Sequence, residues 1–202
     1  MKKLSKQPFK IIDDFFESAP LWQAHALRQE FSKTAFVPGM ISKTLDEINL
    51  QLFHSLASKL IAHSHGKKYF RQLTVNYSWV DESFNKGWIS SAGPSCNIAG
   101  LIFLNPAPAK LSGVSMYQKT GDTNINYAEI LSNEIIAADS ERNKFVKYKQ
   151  DQEKMFKKTM YVENVFNRCV LFAADEFYRD ELYFGKSAED SRLVIRFSGV
   201  AE

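Results

Sequence analysis

Apolar residues change their period near residue 70, and that change divides the chain. In residues 8–16 (PFKIIDDFF), an apolar pair followed by two aspartates predicts a short strand and then a turn. Pro20 stands where a first helical turn tolerates it, with Ser18 or Ala19 ahead of it as the cap. Leu21, Ala24, Leu27, Arg28 and Phe31 follow at helical spacing, which predicts an amphipathic helix over 20–33, broken by Phe36-Val37-Pro38-Gly39. Thr44-Leu45-Asp46-Glu47 is a capping-box pattern, with Thr44 as N-cap and Glu47 reaching back. Leu45, Ile48, Leu52, Leu56 and Leu60 then mark one buried face of a helix over 45–64, and Gly66 is its stop.

Beyond residue 70 the period falls to two. In Gln72–Val80, Leu73, Val75, Tyr77 and Trp79 alternate with Gln72, Thr74, Asn76 and Ser78, the pattern of a half-buried strand. Residues 87–91, 98–104, 113–118, 160–165, 168–173 and 192–198 are further strand candidates, separated by clusters of Pro, Gly, Asn and Asp. Seven or eight short strands behind two helices predict an α+β protein with an all-β core of the jelly-roll type, its helices packed on one outer face. Residues 119–159 are polar and lack a clear period until DQEKMFKKTMY, so they read as a long insertion with some helix. The expected organisation is a single domain over 1–202, with a helical part at 1–69 and a β core at 70–198.

Composition narrows the class. The 202 residues suit one domain, and 45% apolar residues with 16 Phe supply a core that a disordered chain would lack. A net charge of +3 is too small to argue for nucleic acid by bulk electrostatics. Two cysteines exclude a disulfide scaffold. The longest apolar runs, such as Ile98 to Leu104, fall far short of the roughly 20 residues that cross a bilayer. The expectation is a soluble, cytoplasmic protein with no membrane association.

Few residues offer chemistry. The four histidines are His25, His54, His63 and His65, with none beyond residue 65. His54 and His63 fall about 180° apart around a helix, and His63 and His65 are also on roughly opposite sides, so no two share a metal-binding face. Cys169 lies inside an apolar strand, and Cys96 has no His, Lys or Arg within five residues to lower its pKa. Walker, G-x-G-x-x-G and C-x-x-C motifs are absent. The adjacent carboxylates Asp81-Glu82, Asp175-Glu176 and Asp180-Glu181 read as solvated loop residues, since neighbours in a strand point to opposite faces. The basic stretch KFVKYKQDQEKMFKK (144–158) also holds Asp151 and Glu153 and reads as a solvated helix face.

Several segments, taken in order, resemble the prolyl-hydroxylase-like Fe(II)/2-oxoglutarate oxygenases, and most closely a branch of uncharacterised phage and bacterial proteins. The carriers are IIDDFFESAPLWQAHALRQEF, Phe36-Val37-Pro38-Gly39, LTVNYSWV, GWISSAGPSCNIAGLIFLNP, GVSMY, ENVFNRCVLFAADEFYRDELYFG and DSRLVIRF, together spanning about residues 9–198. The resemblance implies a double-stranded β-helix of the cupin-like kind, in agreement with the strand count. In that family an H-x-D pair and a distal His hold iron, leaving positions for the oxoacid and oxygen. The H-x-D is expected within Trp88-Ile89-Ser90-Ser91-Ala92 and the distal His within Phe177-Tyr178-Arg179, so the three positions read Ser90, Ala92 and Arg179. A serine hydroxyl is a poor neutral ligand, alanine has none, and arginine offers no lone pair. Sliding the register recovers no ligand histidine.

One position is kept under the resemblance. Arg192, 13 residues after Arg179, matches the basic residue that grips the far carboxylate of 2-oxoglutarate, and Tyr117 in GVSMY is a further candidate there. Either Arg179 and Arg192 both face the barrel mouth and favour a small dianion, or Arg192 pairs with Asp190 or a strand-edge group while Arg179 swings out or plugs the emptied cavity by bonding to Ser90 and backbone carbonyls. The leading expectation is a degenerate oxygenase-like domain without catalysis, a binding or structural pseudoenzyme with no cofactor, located in a virion or host cytoplasm if viral. Its partner would be a protein or an assembly, contacted through 119–159. Fe(II) and 2-oxoglutarate enter only under the alternative, an active oxygenase with unusual ligands drawn from Asp175, Glu176 or Asp180.

Overall fold

The alternation in RQLTVNYSWV gives the longest strand, β4 (Phe70–Val80), and the larger sheet is built around it and β10 (Arg192–Ala201). The structure, a computed structural model, describes residues 7–33, 38–84, 86–120 and 153–202. The remaining strands of the first half are β1 (Lys10–Ile12), β2 (Phe31–Lys33), β3 (Met40–Thr44) and β5 (Ile98–Phe103). Those of the second half are β6 (Val114–Lys119), β7 (Phe156–Val162), β8 (Cys169–Phe172) and β9 (Phe177–Asp180). Seven strands form one antiparallel sheet in the order β1-β8-β5-β10-β4-β3-β2, and three form a second in the order β7-β6-β9. With the helices outside the larger sheet, this is the double-stranded β-helix that the family resemblance implied and with which the jelly-roll strand count agreed.

Side-chain alternation decides what each face meets. Leu193, Ile195 and Phe197 of β10, with Cys169 and Leu171 of β8, pack on the helix side against Trp22, Ala26, Leu56 and Leu60. The intervening residues Val194, Val170, Phe172, Ala99, Leu101 and Phe103 turn inward and meet Val114, Met116 and Val162 of the smaller sheet. The run IAGLIF in β5 is buried throughout because both of its faces are covered. Gly100 lies there because a Cβ would stand 2.2 Å from the Val170 carbonyl oxygen and 2.4 Å from the Phe197 ring. Arg192 and Arg196 share the inward phase of Val194, which places two guanidiniums inside the barrel.

The helical part follows the sequence with two differences. The first helix, α1 (Ala19–Leu27), starts at Ser18 with Pro20 in its first turn, but it stops six residues before the predicted end and Phe31–Lys33 form β2. Phe31 turns back to meet Trp79 edge-on at 6.3 Å, a tertiary contact that outweighs local helical spacing. The second predicted helix is two: α2 (Leu45–Ile48) and α3 (Leu50–His63). Between them Asn49 is extended, and its Oδ1 accepts from the Leu52 N–H at 3.1 Å as a new N-cap. Glu47 does reach back to the Thr44 N–H and hydroxyl, at 3.1 and 2.9 Å.

Other corrections concern short or polar strands. Residues 87–91 form no strand and contribute one bridge, Ser90 with Tyr178, flanked by another from Lys86 to Leu182. Phe156–Lys158, read as part of a helix face, begin β7. Strands β3 and β9 were not expected. Residues 121–152, most of the proposed contact insertion, lie outside the described residues.

Candidate functional site

The inward arginines of β10 meet a carboxylate from the smaller sheet. Arg192 is fully buried, with its Nη2 2.8 Å from Asp180 Oδ1 and its Nε donating to the Ser112 carbonyl oxygen at 3.1 Å. Its guanidinium lies over Phe103 at 5.3 Å and over Tyr183 at 5.9 Å. Arg196 takes the other oxygen through its Nη2, and the Tyr183 hydroxyl donates to that same Oδ2 at 3.2 Å. Asp180 is thus bracketed by two cations across the space between the sheets.

The backbone holds these groups in place. Asn105 accepts from the Leu193 N–H at 2.9 Å and donates to the Ser191 carbonyl at 2.6 Å, which pins the start of β10. Gly87 N–H donates to the Asp180 carbonyl at 2.9 Å. Burial pushes the Asp180 carboxyl up, but the charges of Arg192 and Arg196, with hydrogen bonds from Arg196 and Tyr183, outweigh it and hold it below the usual carboxylate range. Burial likewise raises Tyr183 and Tyr178, so both phenols stay neutral. The charge between the sheets is therefore two guanidiniums against one carboxylate.

Arg179 does not join this group. One residue along β9 reverses the side-chain direction, so Asp180 points inward and Arg179 to the outer face of the smaller sheet. There Arg179 donates to Glu153 Oε1 at 3.0 Å and to Glu181 Oε2 at 3.2 Å, with its guanidinium 5.0 Å from the Tyr117 ring centre. The Tyr117 hydroxyl donates to Glu181 at 3.0 Å. Arg179 and Arg192 therefore face no common mouth. Tyr117 serves Arg179 and Glu181 on the outer face, and Arg179 plugs nothing beside Ser90. Arg192 pairs with Asp180 rather than Asp190, whose Oδ1 accepts from the Lys186 and Ser187 N–H groups at 2.9 and 2.7 Å.

The remaining predicted positions are placed as follows. Ser90 exchanges two backbone hydrogen bonds with Tyr178, at 3.0 and 2.9 Å, and Ala92 N–H donates to the Ala174 carbonyl at 3.0 Å. The Ala92 methyl packs with Phe9, Cys96 and Tyr178 against the inner apolar cluster. Asp180 and Glu181 are not solvated loop residues: one closes the interior triad and the other the outer network. His25 hydrogen-bonds Tyr77 at 2.9 Å from α1, and burial, then Arg28, keeps it below its ordinary pKa. Among the described residues, no three of His, Cys, Asp and Glu form a group that could hold a metal ion. Burial pushes the Cys169 thiol far up.

Sequence reasoning missed Arg196, and it named Asp180 only as a solvated loop carboxylate or as an unusual metal ligand, not as the partner of buried arginines. A signal existed: in RLVIRF two arginines four apart share one face of an apolar strand, and buried guanidiniums require a carboxylate partner.

A family described as "Family of unknown function (DUF6445)" matches residues 2–179. The chain belongs to this family. A search of curated proteins found no significant match for this DUF6445 member. Solved structures share its fold. HygX from Streptomyces hygroscopicus, solved with nickel and 2-oxoglutarate bound, aligns with a TM-score of 0.57 at 11% identity, covering 96% of this chain and 84% of that one. A 2OG-Fe(II) oxygenase family oxidoreductase from Burkholderia pseudomallei gives 0.52 at 8% identity, covering 95% and 84%. The prolyl hydroxylase of Trichoplax adhaerens, in complex with a hypoxia inducible factor peptide, gives 0.50 at 13% identity, covering 95% and 82%. At these identities the likeness shows the fold alone.

Among the described residues, those between the sheets of this DUF6445 barrel offer no ligand set that fits a transition-metal ion. Ala92 offers no donor atom and Arg179 points away, while both oxygens of Asp180 are engaged by guanidiniums. A dication about 5 Å from either guanidinium would be repelled by roughly 6–7 kcal/mol at an effective dielectric near 20.

Proposed function

We propose that this protein is a non-catalytic member of the oxygenase fold, a binding or structural module. One observation carries the reading: Asp180, the carboxylate that β9 presents between the sheets, is held by Arg192 and Arg196. A chelating carboxylate needs free lone pairs and a site without competing cations. This one has two cations on its two oxygens. On this reading the fold needs no cofactor, and what supports it is that apolar side chains and an ion triad of the chain's own residues meet between the sheets.

Under this reading, recognition of a partner rests on the surface, and the stretch 119–159 is the place proposed for contacts with a protein or an assembly. The described helices include none long and apolar enough to cross a membrane. The test is anaerobic titration of Fe(II) into the purified protein by calorimetry, with and without 2-oxoglutarate. No stoichiometric heat is expected, and no succinate on admission of oxygen. A micromolar 1:1 isotherm, or succinate release dependent on iron, would overturn the reading in favour of an oxygenase with unusual ligands.

A further inference from the structure

We propose that residues 153–155 are a latch on the outer face of the smaller sheet, closed by an ionic clasp from Glu153 to Lys86 and Arg179 and opened by salt. The latch fixes the direction in which the chain enters β7. The inference rests on the reading of 119–159 as the contact surface and names how that surface is controlled.

Three observations support it. First, the chain turns back over the sheet. The Thr120 N–H donates to the Met155 carbonyl at 2.8 Å, which places Met155 at the end of the β6–β7 hairpin. Arg179 stands opposite Ser115, about 17 Å along β6 from Thr120 at about 3.4 Å per residue. Lys86 is bridged to Leu182 beyond the other edge of β9. Glu153, two residues ahead of Met155, nevertheless bonds both cations, so 153–155 folds back across the outer face instead of running out past its end. Secondly, the latch has an apolar seat. Met155 and Phe177 pack against Ile89, Tyr117 and Phe156, a cluster separate from the one between the sheets. Thirdly, the clasp is ionic and open to water. The Glu153 and Lys86 side chains are 44% and 31% exposed, against 8% for Arg179. Hydrogen bonds from Lys86 and then Arg179 outweigh burial and hold Glu153 below the usual carboxylate range, so it is charged at neutral pH. Salt screens exposed ion pairs far more than buried ones, so it loosens this clasp before it touches the Asp180 triad.

Native-state amide exchange reads the latch. Thr120 is the reporter, because its N–H is bonded to Met155, and the paired amides of β4 and β10 are the reference for the core. At low salt, Glu153→Gln and Lys86→Gln are each expected to speed exchange at Thr120 and residues 153–156 about fivefold, with β4 and β10 within about twofold of wild type. Raising sodium chloride from about 20 mM to about 500 mM is expected to speed the same amides in wild type by a similar factor, and to change Glu153→Gln much less. A wild-type rate at Thr120 in both variants, or acceleration spread equally over β4 and β10, would overturn the latch. So would equal salt responses of wild type and Glu153→Gln. The iron titration is separate. Iron binding by wild type would defeat the non-catalytic reading whatever these rates are, whereas unchanged rates without iron binding defeat only this inference.

Discussion

Replacing Asp180 by Asn keeps the shape of the side chain and removes one charge, which isolates the electrostatic part of the triad. Asp180 is 5% exposed and touches two guanidiniums. Each contact corresponds to about 4 kcal/mol of attraction at an effective dielectric near 20 and a charge separation of about 4 Å. Relief of the carboxylate's desolvation offsets part of that sum, and measured losses on breaking buried pairs run at about 3–5 kcal/mol. For a chain of this size we expect about 4 kcal/mol, a fall in melting temperature of about 8–16 °C. The pH dependence follows from the depressed carboxyl. Asp180 holds its proton less tightly folded than unfolded, so its contribution is complete above the unfolded value near 4 and is lost as pH falls through the folded value. The difference between wild type and Asp180→Asn should therefore be constant from pH 7 to about pH 5 and shrink below about pH 4. Circular dichroism melts across that range measure it. Melting within 1–2 °C of wild type at neutral pH (about half a kcal/mol), or a difference that persists unchanged to about pH 2, would refute the reasoning.

Two further outcomes test the assignment of faces. Arg179→Ala removes two charge-assisted hydrogen bonds and a ring contact from the outer face, and should lower stability by about 1–2 kcal/mol in urea titrations at neutral pH, with part of that difference lost in acid because Arg179 helps to hold Glu153 and Glu181 below the usual carboxylate range. A loss at neutral pH as large as that of Asp180→Asn would place Arg179 in the interior group after all. Gly100→Ala drives a methyl group into the Val170 carbonyl and the Phe197 ring, and should cost about 2–3 kcal/mol, read as a lower urea midpoint at an unchanged slope.

The sequence made the long elements visible and hid the short ones. β4, β5 and β10 each offer enough residues for a period or an apolar run to register, and α3 offers four turns. β2 has three residues, one of them apolar, and β9 reads FYRD, so neither carries a periodic signal of its own. Both exist because longer neighbours present unpaired backbone groups to them. Asn49 escaped because the apolar positions on either side keep one helical phase, whereas its side chain captures the Leu52 N–H and restarts the helix. The site was misread by a single residue. Placing a motif on Phe177-Tyr178-Arg179 assigned the interior to Arg179, and a strand has period two, so the residue that enters the barrel is its neighbour. Ordinary alternation, applied outward from Val194, would have placed Arg192 and Arg196 inside and asked which acid answers them.

That one-residue distinction also explains why a buried ion triad is kept where apolar side chains could fill the same volume with equal or greater stability. β9 is a four-residue strand at the edge of the smaller sheet, and hydrogen bonds alone do not choose between adjacent registers. Its charges do. In the observed register Asp180 meets Arg192 and Arg196, while Arg179 meets Glu153 and Glu181. A slip that carries Arg179 into the place of Asp180 would bring a third guanidinium against the two buried ones and leave Glu153 without its arginine. The exchange Arg179→Asp with Asp180→Arg imposes that arrangement at fixed composition and net charge. Its loss should exceed that of Asp180→Asn, because a surplus cation is buried as well as a counter-ion removed, and a loss beyond about 5 kcal/mol would leave most of the chain unfolded at ambient temperature. Near-ultraviolet circular dichroism of the exchanged variant reads this directly. A native spectrum with a melting temperature close to wild type would show that the charges of β9 do not set its register.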